Sequence, residues 1–441
     1  MQGAMQGLPP GPRAAPVAQM WQWVRDPLGF LDRCRAAHGR LFTLRSPNIG
    51  AIVVAADPEG VRQIFTAPPS TLHARPYNLI LAPALGEHSL LLTDGAAHTR
   101  RKRLMAPAFH RRALSGYAAQ IRQAAQRRIE DWADGAVVNL KSELEAASIE
   151  IICRVVFGVS DDALPQAAAV IQRLTHAFGP KMLYFPALRR DLGPWSPGGR
   201  LRRAMDDTHA LLQSLIDARR GAPGSDDVLG MLMAARDEDG RGMPDDVLRD
   251  QLLTLLNAGH DTVTSAMCWA VHHLHQPGCA ALPRAVGEAR AADDDPLAWS
   301  RLPWLTACCE EALRVVPIIP SVGRAVVAPM ALCGHSLPAG VRVMAPCYLS
   351  HRDPAQWDEP GAYRPERFLG KRASPFVFYP FGGGPRVCIG GAFAMMEMTI
   401  VLAALLRHAE LTLEAPAAPP SRVSLTLIPR GGVPVRVRKR A

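Results

Sequence analysis

The chain of 441 residues is 48% hydrophobic and 20% charged, which excludes a disordered or fibrous protein. Its 36 glycines and 39 prolines are spread without a short repeat, which excludes collagen-like and low-complexity chains. The net charge of +10 is too dilute over this length to indicate nucleic acid and suits an acidic partner or a bound anionic group equally well.

In chain order, residues 1–19 are rich in Pro and Gly and predict an irregular lead-in. Residues 41–55 hold two short β-type runs around Pro47-Asn48-Ile49-Gly50, a hairpin pattern. From about 57 to 316 the periodicity is mainly helical, broken by Pro, Gly and Asp clusters at 179–200 and 219–227. Asp237-Glu238-Asp239-Gly240 resembles the start of a calcium loop, but Gly240 comes too early, so a turn is expected. Residues 247–274 are apolar on nearly all sides, as in a helix through the core, yet carry Gly259, His260, Asp261 and Thr262 in the middle. From 317 to 370 Pro recurs and short strands such as 340–347 are expected. A helix over 391–408 follows, then a hairpin over 421–437 turning at Pro429-Arg430-Gly431-Gly432. With no internal repeat or linker, the expectation is one mainly α domain with small β-sheets over 1–441. The N-terminus lacks a signal-peptide core, and no run of ~18 uninterrupted apolar residues occurs. A soluble cytoplasmic protein without a membrane anchor is therefore expected. Nine cysteines, an odd number without a CxxC pair, indicate reduced thiols rather than a disulfide framework or zinc ribbon.

One cysteine stands apart. In Phe381-Gly382-Gly383-Gly384-Pro385-Arg386-Val387-Cys388-Ile389-Gly390, three glycines permit close approach to a flat ligand. Cys388 precedes an apolar helix whose N-terminal amides favour a thiolate, and Arg386 adds positive charge. The stretch suits an anionic sulfur ligand beside a flat, anionic cofactor; the plainer alternative is a turn with a buried thiol.

This stretch resembles the FxxGxRxCxG signature of the cytochrome P450 family, haem-thiolate monooxygenases. Glu311-Ala312-Leu313-Arg314 resembles the family's ExxR, Pro365-Glu366-Arg367-Phe368 its PERF motif, and Ala258-Gly259-His260-Asp261-Thr262 its AGxDT. The resemblance implies the P450 fold, a triangular helix-rich prism with haem b between the long central helix and the cysteine loop. It implies Cys388 as the iron ligand, donating electron density that promotes O–O cleavage. Phe381, Gly382 and Gly390 would belong to the haem-binding loop. Glu311, Arg314 and Arg367 would form a buried structural network. Thr262 would pass protons toward bound O2, and Asp261 would connect to the proton supply. His260 is expected to face away from the iron. His98, Arg324 and Arg386 would meet the propionates; Lys102 stands where the family has Arg, and Arg103 could take its place. Residues 100–103 could also dock an acidic electron donor. Ser89, Leu90, Leu91, Asn257, Ala258, Ile319, Ser321 and Leu425 would line an apolar substrate pocket, with core packing as the competing account of each.

The chain carries no flavin or iron–sulfur motif, so electrons would come from a ferredoxin or flavodoxin with an NAD(P)H reductase. The substrate expectation is a fatty acid, terpenoid or steroid-like molecule, acted on by a monomer. A peroxide-using or rearranging haem-thiolate enzyme, and a haem-binding sensor or carrier, stay open at this point.

Overall fold

A computed structural model of the chain describes residues 7–179, 182, 185–221, 226–415, 419–423 and 426–440. Among these, helices of seven or more residues are numbered in chain order. They are α1 (Pro16–Arg25), α2 (Pro27–His38), α3 (Pro58–Thr66), α4 (Gly95–Met105), α5 (Arg111–Glu130), α6 (Leu140–Ile151), α7 (Leu164–Ala177), α8 (Pro197–Arg220), α9 (Val228–Ala234), α10 (Asp245–Leu274), α11 (Ala281–Ala291), α12 (Pro303–Val315) and α13 (Gly391–His408). The strands are β1 (Leu41–Ser46), β2 (Gly50–Ala55), β3 (Leu72–His73), β4 (Val137–Asn139), β5 (Val322–Val326), β6 (Met330–Leu332), β7 (His335–Leu337), β8 (Arg342–Ala345), β9 (Ala409–Leu413), β10 (Pro420–Val423), β11 (Thr426–Pro429) and β12 (Pro434–Lys439).

Two expectations at the ends need correction. The lead-in is helical from Pro16, because proline at the first helical position has no amide to leave unpaired. Buried Gln19 donates to the carbonyls of Pro12 and Ala14, which folds the preceding residues onto it. At the other end, the turn at 429–432 does not close a hairpin. It is β10 and β11 that pair with each other, Ser421 opposite Ile428, whereas β12 leaves to pair with β4 and β9. Strand pairing at this distance is decided by which edge lies free in the fold, which the local turn residues cannot encode.

The hairpin at 41–55 forms, with Leu41 opposite Ala55. It continues into a sheet of order β1-β2-β8-β5-β3 that holds Arg324 on β5. The helical body is organised by α10, 30 residues and therefore about 45 Å long. Asp245 and Asp246 in its first turn suit the helix dipole. It packs against α6, α12, α13 and β11. Helix α13 is long and apolar enough to cross a membrane by composition alone, but 67% of it is buried inside the fold. Its Glu397 is 1% exposed and accepts a hydrogen bond of 2.9 Å from Ser148 of α6.

Helix α12 carries a buried ion pair that organises a stretch without sheet structure. Glu311 and Arg314 are both fully buried and bonded in a fork, Nε to Oε2 at 2.7 Å and Nη2 to Oε1 at 2.8 Å. The same guanidinium donates to the carbonyls of His351, Pro360 and Ala362, each at 2.9 Å. Glu311 also accepts the Arg364 amide at 2.7 Å and meets Arg367 Nε at 3.4 Å. Three of the guanidinium's partners are backbone atoms of the 351–364 segment, so the pair replaces a strand ladder.

Two stability measurements follow. Glu311→Ala strands a buried guanidinium, so the variant should lose about 3–5 kcal/mol in urea unfolding and yield little holoprotein. A fully stable Glu311→Ala protein would show that the pair does not brace the segment. Burial pushes the Glu397 carboxyl from 4.5 up to about 8. The folded protein then binds a proton there that the unfolded chain releases above pH 4.5. Stability from this group is complete below that pH and is lost as pH rises toward 8. Buried His273 and His351, pushed down to about 3, act in the opposite sense at lower pH. The test is therefore a difference: Glu397→Gln should unfold with a pH slope less negative than wild type between about pH 5 and 8.

Candidate active site

The cysteine loop is shaped by close packing. Gly382 and Gly384 have φ of +70° and +64°, which favours glycine. A Cβ on Gly383 would lie 2.1 Å from the Phe65 ring, and one on Gly384 would lie 1.9 Å from the Phe65 carbonyl oxygen. Gly383 and Gly384 thus permit close approach to α3, a packing role that the sequence expectation did not include. The Cys388 amide closes the loop on the Phe381 carbonyl at 2.9 Å. Of the nine cysteines, all free, Cys388 alone is exposed. Desolvation raises its thiol, while the Gly390 amide and the Lys102 charge favour the thiolate.

Beside the loop lies a cluster of cations. Arg386 pairs with Asp94 and donates to the carbonyls of Leu90, at 3.2 Å, and Thr93. Arg324 is 8% exposed, and its described hydrogen bond goes to the carbonyl of Gly323 at 2.8 Å. Burial and the neighbouring Arg386 push it down to about 10. His98 is buried as well and, by burial and then Arg386 and Lys102, is pushed down to about 4, so its ring is neutral. One cleft is bordered by His98, Arg324, Arg386, Asp94 and Gly383.

The basic run on α4 divides its work differently from the expectation. Lys102 Nζ donates to the carbonyls of Pro385 at 2.7 Å and Val387 at 3.0 Å. It braces the cysteine loop directly, which an ammonium with freely rotating donors does well. Arg103 is paired with Glu238 and Arg100 with Asp237, so Arg103 does not replace it in the cleft. Asp237–Gly240 is a turn, as expected, with the Asp237 carboxylate accepting the amides of Asp239 and Arg241.

On α10, most residues are buried but Ala258 is exposed, and Asp261 and Thr262 are half-buried. An exposed alanine amid buried neighbours marks a stretch of the helix that fronts open space. The helix is continuous there, with no opening; Thr262 Oγ1 donates to the Ala258 carbonyl at 2.7 Å. Asp261 Oδ2 accepts from Thr426 at 2.8 Å. His260 is buried, its Nδ1 2.9 Å from the Leu256 carbonyl.

The expected pocket residues separate. Leu91 and Ile319 are half-buried, while Leu90 and Ser321 are each 8% exposed. Ser89 is fully buried, accepts from Thr254 Oγ1 at 2.8 Å and from the Leu91 amide, and offers a substrate no surface. Asn257 is half-buried and donates to the carbonyls of Ala84, at 3.1 Å, and Leu253. Leu425 lies outside the described residues. Sequence reasoning missed what Ser89 and Asn257 belong to, a polar clasp in which Asp250, Gln251, Thr254 and Asn257 hold residues 84–90. The signal was present: polar residues at i, i+1, i+4 and i+7 share one face of an apolar helix.

These features suit haem. An accessible thiol could serve as a ligand to the iron, and two largely buried guanidiniums have Asp94 as their nearby carboxylate, which would leave room for the acid groups of a propionate-bearing ring. The comparisons with known proteins agree. The family model for cytochrome P450 matches residues 9–433. Cytochrome P450 135B1 of Mycobacterium tuberculosis is 35% identical, over 98% of this chain and 92% of its own length. Cytochrome P450 135A1 of the same species is 34% identical, over 98% and 95%. The cyanobacterial CYP120A1, solved with retinoic acid bound, superposes with a TM-score of 0.85 at 25% identity, over 98% of this chain and 100% of that one. With the fold, the accessible cysteine and the relatives in agreement, the chain belongs to the cytochrome P450 family of haem-thiolate monooxygenases, whose cofactor is haem b held by a cysteine thiolate.

Proposed function

We propose that this chain acts as a single cytoplasmic haem domain that hydroxylates a hydrophobic molecule of the fatty acid, terpenoid or steroid-like class. One atom of O2 enters the substrate and the other leaves as water. The two electrons come from NAD(P)H through a reductase and a separate ferredoxin or flavodoxin. The observation that carries the reading is the convergence of one accessible cysteine with a buried arginine pair short of counter-charge.

Haem, when bound, supplies O2 binding and activation at an iron made electron-rich by thiolate ligation. The remaining work falls to the chain. Cys388 is the ligand, with the Gly390 amide and Lys102 favouring its thiolate form. Arg324, Arg386 and neutral His98 orient the propionates, while Phe381, Gly382 and Gly390 frame the loop. Ala258, Leu90, Leu91, Ile319 and Ser321 offer surface to an apolar substrate. Thr262, whose hydroxyl is already held by the Ala258 carbonyl, passes protons onward, and Asp261 replenishes them. Exposed Arg111 and Arg112 at the start of α5, beside the basic run 100–103, favour an acidic donor. Nine free thiols suit a reducing compartment.

Two outcomes test the reading. Cys388→Ala should abolish the thiolate-type Soret band of the reduced CO complex; its survival would overturn the ligand assignment. Thr262→Val keeps the volume and removes the hydroxyl. With a surrogate redox pair it should divert most NADH-derived electrons to hydrogen peroxide, with product per NADH falling about tenfold or more, while haem content and substrate spin shift hold. Unchanged coupling would remove Thr262 from proton delivery.

A further inference from the structure

We propose that Thr426, on the C-terminal hairpin, is a positioning residue for Asp261 and so governs the proton supply of the distal face; this rests on the proton-delivery reading of Asp261 and Thr262 above. Thr426 is 2% exposed, and its hydroxyl donates at 2.8 Å to Oδ2 of Asp261, which is half-buried and adjacent in sequence to Thr262. The strand bearing Thr426 is itself immobilised. The indole of Trp269, two turns further along α10, donates to the Leu427 carbonyl at 2.8 Å, and the Leu427 amide donates to the Ile318 carbonyl at 3.0 Å. The hydroxyl therefore reaches Asp261 from a fixed platform, and β-branching limits the rotamers it can adopt.

A carboxylate on a helix swings about two side-chain torsions unless one oxygen is held. Thr426 holds Oδ2. A guanidinium or ammonium in this place would fix the carboxylate as an ion pair and oppose its protonation. A neutral hydroxyl differs, because it donates to a carboxylate and accepts from a carboxylic acid. Thr426 can thus keep hold of Asp261 through both halves of a proton cycle: the carboxylate takes a proton from solvent, the acid so formed releases it toward Thr262, and the carboxylate is restored with no net change. The C-terminal hairpin becomes part of the proton machinery as well as a wall.

The test uses haem-loaded Thr426→Val, Thr426→Ser, Asp261→Asn and the Thr426→Val/Asp261→Asn double variant, with Thr426→Ala in place of Thr426→Val should the latter fail to fold. NADH oxidation is driven by a surrogate ferredoxin and reductase, with dodecanoic acid as probe, in H2O and D2O. The infrared C–O stretch of the reduced CO complex reports distal polarity without turnover. Thr426→Val should slow oxidation about three- to tenfold with a larger solvent isotope effect, and should shift the C–O stretch as Asp261→Asn does. Thr426→Ser should stay within about twofold of wild type, and the double variant should be no slower than Asp261→Asn alone. A Thr426→Val effect that persists undiminished in the Asp261→Asn background would overturn the proposal, as would wild-type behaviour of Thr426→Val beside a slow Asp261→Asn. Wild-type behaviour of both single variants would overturn the proton-delivery reading itself.

Discussion

A guanidinium with no access to water must find a full set of acceptors or destabilise the fold, and Arg314 does so by binding one carboxylate and three carbonyls. The carbonyls belong to a stretch with little regular structure of its own, running from His351 to Ala362. That stretch leads into the turn of Pro365–Phe368 and on to the cysteine loop. The position of Cys388 is thus referred back to α12 through one side chain. His351 adds a second tie, its Nε2 accepting the Tyr379 amide at 2.9 Å a few residues before the glycines.

The two sides of the site are built on opposite electrostatic plans. On the cysteine side, positive groups outnumber negative ones: Arg324, Arg386 and Lys102 gather around Asp94 and the loop. On the helix side three polar groups around Ala258 are neutral or singly acidic and hydrogen-bonded: Thr262 with Ala258, Asp261 with Thr426, Asn257 with Ala84. An anionic flat ligand would find its counter-charges on the cysteine side and a mostly apolar helix opposite. That division lets one site bind a charged cofactor and an apolar molecule together.

Much of this was legible from residue order alone. Helix α13 runs over the predicted 391–408, and the fork between Glu311 and Arg314 follows from their i, i+3 spacing. What was not legible depends on distant partners. Nothing local to Lys102 says that its ammonium will meet the carbonyls of Pro385 and Val387, or that Glu238 will take Arg103. The turn residues from Pro429 to Gly432 predicted a hairpin, yet Pro434–Lys439 found its edges at β4 and β9. The three glycines were read as making room for a ligand, and two of them make room for a phenylalanine from the other end of the chain.

That last contact has a consequence for the order of events during folding. Gly383 and Gly384 rest on Phe65, and α3 in turn packs against the sheet in which β2, from the N-terminal part of the chain, pairs with β8. The cysteine loop therefore borrows its shape from chain made well before it, because Phe65 precedes it in sequence by most of the fold. Contacts of such long separation form late, after the entropy of closing the intervening chain has been overcome. The setting of the Cys388 thiol is thus a late product of folding, complete only once segments far apart in sequence have met.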